Sequence, residues 1–166
     1  MSVESFNALD DSEARAVLRD CCVSHRWIDA VVAARPFLSE DALRSAAGQY
    51  WDQLSEADWL EAFEGHPKIG DVSSLREKYA SSAGLAAHEQ SGVAGAGEAV
   101  LERLARGNKA YEERFGFIFI VCATGRSAAE MGDLLEARLH NTRDDELRIA
   151  AGEQRKILMI RLEKLL

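Results

Sequence analysis

Strand-forming sequence is confined to one place in this chain. Phe115-Gly116-Phe117-Ile118-Phe119-Ile120-Val121-Cys122-Ala123 is apolar throughout, and periodicity alone would allow a buried strand there. A strand needs a neighbour to take up its backbone N–H and C=O groups, and no second strong strand candidate exists. The stretch is therefore read as buried backbone lying beside a helix. The fold class that follows is all-α, a single-domain helical bundle over residues 1–166, a length that suits one domain.

The rest of the chain carries helical spacing and helical punctuation. Asp10 to Cys22 places Ala14, Val17, Leu18, Cys21 and Cys22 on one stripe, with Asp11 or Ser12 expected as its cap. A second helix is expected from about Ser24 to Arg35 through Trp27, Ile28, Val31 and Val32, stopped by Pro36. Ser39 opens a third, with Leu43, Ala46, Ala47, Tyr50 and Trp51 on one side. Ser55 and Asp58 form a capping box before Trp59, Leu60 and Phe63, and Gly65 closes that helix. Between His66 and Gly97 five glycines (70, 84, 92, 95 and 97) and several serines predict a loop-rich segment with a short helix near Ser74–Tyr79. Helix resumes around Glu98 through Leu101, Leu104, Ala105 and Tyr111. Ser127 with Glu130, and Thr142 with Asp145, box the last two helices.

Charge excludes several partners. Lys and Arg number 20 against 28 Asp and Glu, a formal charge of −8, with no basic run to bind nucleic acid. The longest uninterrupted apolar stretch, Phe117 to Ala123, is far short of the roughly 20 residues a bilayer requires. The start, Met1-Ser2-Val3-Glu4, lacks the basic and apolar regions of a secretory signal. Three cysteines, Cys21, Cys22 and Cys122, are odd in number and make no CxxC, so small buried thiols in a reducing compartment are expected. The four histidines form no HxH or HxxxH pair, which gives no reason to expect a metal.

Three features are candidates for chemistry. His66 lies between Gly65 and Pro67, and the proline biases it toward an extended backbone. A His-Pro turn is also an ordinary surface turn. Glu89-Gln90 could orient a histidine and bind a polar substrate, or simply begin a helix. On the final helix, Leu147, Ala150, Ala151, Ile157, Leu158, Leu162 and Leu165 share one arc, and Gln154 and Arg161 fall in its middle. Arg161 either snorkels past the core or faces a cavity that takes an anion. Arg126, beside Gly125 and Ser127 at a helix N-terminus, could assist anion binding, but reads more readily as an exposed loop arginine.

Taken in order, these pieces resemble the 2-oxo-4-hydroxy-4-carboxy-5-ureidoimidazoline (OHCU) decarboxylase family. The resemblance runs through Cys21-Cys22, Trp27, Arg35-Pro36-Phe37, Asp58 to Phe63, His66-Pro67-Lys68-Ile69-Gly70 and Glu89-Gln90-Ser91-Gly92. It continues through Asn108, Tyr111, Phe115 to Ala123, Arg126-Ser127-Ala128, Arg138-Leu139, Asn141, Glu146-Leu147 and Glu153 to Leu162. It implies an all-helical homodimer without metal or organic cofactor that converts OHCU to (S)-allantoin in urate breakdown. It further implies that His66 is the catalytic acid/base and Glu89 its carboxylate partner. Pro67, Gln90, Arg161 and the stretch Ile118, Phe119, Ile120, Val121, Cys122 and Ala123 would contact substrate, the stretch largely through backbone. Ala86 stands where many members carry a serine, which leaves that contact to backbone or water.

The rival of another class is a non-catalytic all-α interaction module, with Trp27, Trp51 and Trp59 as core and the His-Pro turn structural. Inward Gln154 and Arg161 count against it, because a scaffold gains little from them. A related enzyme acting on another ureido-imidazoline is a further alternative. Lys164-Leu165-Leu166 is not a Ser-Lys-Leu type address, so cytoplasm is the expected location.

Overall fold

A computed structural model describes residues 1–68, 72–80 and 94–166, with side chains of 78–80 and 94–96 left aside. Within these residues every regular element is a helix. The predicted all-α class is what is found. The described residues form two compact units, Met1–His66 with Ala151–Leu166, and Pro67–Ala150.

The first unit holds α1 (Val3–Ala8), α2 (Asp11–Arg19), α3 (His25–Ala33), α4 (Glu40–Asp52) and α5 (Glu56–Glu64). The six residues of α1 are too few to show a period, and Ser2 caps them by accepting from the Ser5 N–H at 3.2 Å. The cap of α2 is Asp10 rather than the expected Asp11 or Ser12. The reason is reciprocity: Glu13 N–H donates to Asp10 Oδ1 at 2.8 Å, and Asp10 N–H donates to Glu13 Oε2 at 3.0 Å. Ser24 and Ser39, where helices were expected to start, cap α3 and α4, and Ser55 caps α5 in the predicted capping box.

Two tryptophans anchor this unit. Trp27 and Trp51 are 0% and 1% exposed, and each buried indole N–H finds a carbonyl, Ala47 at 3.0 Å and Ala151 at 3.2 Å. The second bond ties α4 to the last helix, α9 (Arg143–Leu165). Truncating either ring to alanine would cost about 3–5 kcal/mol, since both cavity and orphaned carbonyl remain.

The second unit holds α6 (Val72–Ala80), α7 (Ala94–Phe115), α8 (Ala128–Arg138) and the first turns of α9. Both α6 and α7 start earlier than Ser74 and Glu98 predicted. Gly107 brings α7 against α8: a Cβ there would lie 2.3 Å from Leu135 Cδ2, and Leu135 is 1% exposed. Ser127 and Glu130 make the predicted capping box at α8. Thr142 Oγ1 accepts from the Asp145 N–H at 3.2 Å and donates to Asp145 Oδ2 at 2.8 Å.

Phe115 ends α7, and residues 116–123 are irregular backbone, as the lack of a partner strand predicted, but only part of the stretch is buried. Gly116 at φ 80° reverses the chain after α7, and Gly125 at φ 75° turns it toward α8, conformations that glycine adopts without a Cβ clash. Phe117 and Ile120 are buried; Ile118, Phe119, Val121 and Cys122 are half-buried, and Ala123 is exposed. Cys122 therefore departs from the expected set of buried thiols, since only Cys21 and Cys22 are buried.

Candidate functional site

The helix α5 delivers His66. Its last turn tightens, with the Gly65 N–H donating to Ala62 O and the His66 N–H to Phe63 O, both at 3.2 Å. Gly65 has an ordinary helical φ of −70°, so it is not needed for a left-handed turn. What requires glycine is space: a Cβ there would sit 2.8 Å from Val23 Cγ2. The end of α5 can thus press against Val23 and set His66 at the mouth of a cleft of about 390 Å³.

Within the first unit, α9 supplies the facing wall. Gln154 is 1% exposed, and its Oε1 is hydrogen-bonded to His66 Nε2. Arg161 follows seven residues, or two turns, later on the same face. It lines the same cleft and donates from Nη1 to the Cys21 carbonyl at 3.3 Å. Arg161 therefore faces a cleft, with Nη1 on the Cys21 carbonyl. Arg19, Asp20 and Cys22 complete the lining.

Electrostatics narrow what this cleft can do. Burial pushes the Cys21 and Cys22 thiols up to about 11, and the nearby Arg161 guanidinium only partly opposes it. Both are neutral thiols near pH 7, so neither is a ready thiolate nucleophile. Among the described residues no three His, Cys, Asp or Glu side chains converge as metal ligands. What remains is an imidazole held by an amide, with two guanidinium groups and the Asp20 carboxylate nearby. Such a set can bind an anionic polar molecule and move a proton on it.

The other predicted residues divide by location. Ala86, Glu89 and Gln90 lie outside the described residues. Pro67 is exposed and, with Ile118–Ala123, belongs to the second unit. There the irregular stretch is held by a buried network. Arg138, 6% exposed, donates from Nη1 to Ile120 O at 2.7 Å and from Nε to Glu146 Oε1 at 2.5 Å. Tyr111 Oη donates to the same carboxylate at 2.5 Å, and Asn141 Nδ2 to its other oxygen at 3.0 Å. The guanidinium also lies 4.6 Å from the Phe119 ring centroid. Burial and the bond to Glu146 hold the Tyr111 phenol well above its ordinary value.

Sequence reasoning singled out Gln154 as misplaced on its helix but did not pair it with His66. It passed over Arg19, Asp20 and Cys22, which carry no periodic anomaly. It also gave no role to Arg138 and Glu146, whose charged side chains at helix ends look like ordinary surface.

Comparison with known proteins places these features. The family model for OHCU decarboxylase matches residues 7–163. The chain is 37% identical over 145 residues to the uric acid degradation bifunctional protein TTL of Arabidopsis thaliana, covering 87% of this chain and 45% of that protein. It therefore spans under half of that plant relative. It is 26% identical over 163 residues to 2-oxo-4-hydroxy-4-carboxy-5-ureidoimidazoline decarboxylase of Haloferax volcanii, covering 98% of this chain and 94% of that protein. A crystal structure of OHCU decarboxylase in the presence of (S)-allantoin aligns with a TM-score of 0.71 at 34% identity, covering 95% of this chain and 98% of that one. With the match extending over almost its whole length, the chain belongs to the OHCU decarboxylase family.

Proposed function

We propose that this chain decarboxylates OHCU to (S)-allantoin without a cofactor, using His66 and Glu89 to handle protons and Arg161 to hold the substrate. The observation that carries the reading is the meeting of His66, Gln154 and Arg161 on one cleft in a chain of this family.

The substrate supplies its own electron sink. As the C–C bond to the carboxylate breaks, carbon dioxide leaves and the bonding electron pair passes into the conjugated ring imine. The imine nitrogen takes up a proton, the hydroxyl proton leaves as the carbonyl forms, and a proton added to one face of the ring carbon sets the S configuration. The protein has to hold the carboxylate out of the ring plane and manage those protons. A guanidinium suits the first task, and an imidazole with a carboxylate partner suits the second. Pro67, Ala86, Gln90 and Ile118–Ala123 would line the rest of the substrate site.

In this reading the chain is a cytoplasmic homodimer with a small-molecule substrate and neither nucleic-acid nor membrane partner. Its charge of −8 supports the former exclusion. No described helix is long and apolar enough to cross a membrane. A buried amide bonded to a half-buried imidazole is hard to account for in a bare interaction module.

The test couples the chain to urate oxidase and to the hydrolase that forms OHCU, and follows circular dichroism of the product. Rapid growth of the (S)-allantoin signal is expected. Racemic product at the uncatalysed rate would overturn the assignment.

A further inference from the structure

Gln154 sits where an apolar residue would serve the core better. Leu147, Ala150, Ala151, Leu158 and Leu162 of the same helix are all buried, and Gln154 shares their burial at 1% exposure. A buried amide is unfavourable unless its polar atoms are answered, and here the amide oxygen meets His66 Nε2. With the amide oxygen facing the ring, Nε2 carries the hydrogen, because an amide oxygen only accepts. A neutral imidazole has one N–H, which puts its lone pair on Nδ1. The imidazolium keeps the same bond to Gln154, because Nε2 is protonated in both states.

We infer that Gln154 is a positioning residue for His66: it fixes the ring plane, keeps Nε2 protonated throughout, and makes Nδ1 the nitrogen that takes and gives the proton. The consequence for turnover rests on the proposed function; the tautomer does not. Among the described residues, the charged and titratable groups on the same cleft are Arg161 of α9, Arg19 and Asp20 at the end of α2, and the Cys22 thiol. Glu153, next to Gln154 on α9, bonds to Lys156 Nζ at 2.6 Å. The acceptor that meets Nε2 itself is the Gln154 amide oxygen.

The test is ring ¹⁵N–¹H correlation spectroscopy of His66 across pH in the full chain, its Gln154→Met variant and its Gln154→Glu variant. The parent is expected to show the Nε2–H tautomer in its neutral ring. Methionine keeps length and burial but removes the acceptor, so the ring pKa should fall and the two tautomers should mix. Glutamate keeps the acceptor and adds charge, so the ring pKa should rise by about 1–3 units. An Nδ1–H tautomer in the parent, or a ring pKa and tautomer unmoved in both variants, would overturn the inference. Turnover in the same samples is read separately. In Gln154→Met a kcat loss of about tenfold with KM held is expected, and its limiting pH limb should follow the ring pKa. If the ring shifts while turnover of OHCU stays at the parent level, His66 loses its part in the proposed reaction and Gln154 keeps its hold on the ring.

Discussion

Arg138 donates from Nη1 to the carbonyl of Ile120 at 2.7 Å, so a charged side chain from the last residue of a helix holds the middle of a strand-like stretch that has no strand beside it among the described residues. One carbonyl that a partner strand would have answered is here answered by a guanidinium. The arrangement works because Glu146, 0% exposed, balances the charge and is itself bonded by Tyr111 and Asn141.

Removing one member of that pair should be severe. Arg138→Met leaves a buried carboxylate without its guanidinium and a buried carbonyl without its donor, a loss of about 3–5 kcal/mol in folding stability. Urea unfolding checks it. The double variant Arg138→Met with Glu146→Leu should lose less than the sum of the two singles, because no lone charge remains. Additive losses would mean that the two residues act independently.

Alkaline stability should report the two buried thiols. Cys21 and Cys22 keep their protons in the folded chain up to about 11, above the value of an unfolded thiol. Their contribution is fully present below the unfolded value and is lost as pH rises through about 11. Urea midpoints should therefore decline between about pH 8.5 and pH 10, and less steeply in Cys21→Ala with Cys22→Ala. Tyr111 adds to the decline only above about pH 10, where an unfolded phenol begins to ionise. An identical slope in parent and double variant would contradict the burial of the thiols.

Arg161 separates binding from folding. Arg161→Leu should leave the melting temperature near that of the parent, since the helix gains an apolar residue on its apolar arc. KM should rise by about 10–100-fold for the loss of one charge-assisted contact to an anionic substrate. Saturation kinetics provide the readout, and an unchanged KM would reject the contact.

How much of this was legible in the sequence depends on distance along the chain. Ser24, Ser39, Ser55 and Ser127 are visible because a cap and its partner lie three residues apart. The absence of a sheet among the described residues was legible from one unmatched stretch. The α1 helix was not, since six residues show no period, and Asp10 stands beside two other residues able to cap, Asp11 and Ser12. Gln154 announced itself as a polar residue on an apolar arc. Its partner His66 lies 88 positions away, and no spacing rule reaches that far. Arg138 and Glu146 were quoted only as part of a resemblance, because burial of charges at helix ends depends on what packs over them.

Glu89 should act with His66 as one unit. If the carboxylate and the imidazole handle the same proton, Glu89→Gln costs as much as His66→Asn or less, and the double variant is little worse than His66→Asn alone. Turnover numbers for the three variants check this. Multiplying losses would make them independent groups.

The most direct measurement is the rate of (S)-allantoin formation by His66→Asn beside the parent, followed by circular dichroism because OHCU also decays to racemic product. General acid/base groups contribute roughly 10²–10⁴-fold, so a loss of at least about 100-fold with the fold intact is predicted. A His66→Asn chain that still forms (S)-allantoin at the parent rate would contradict the account.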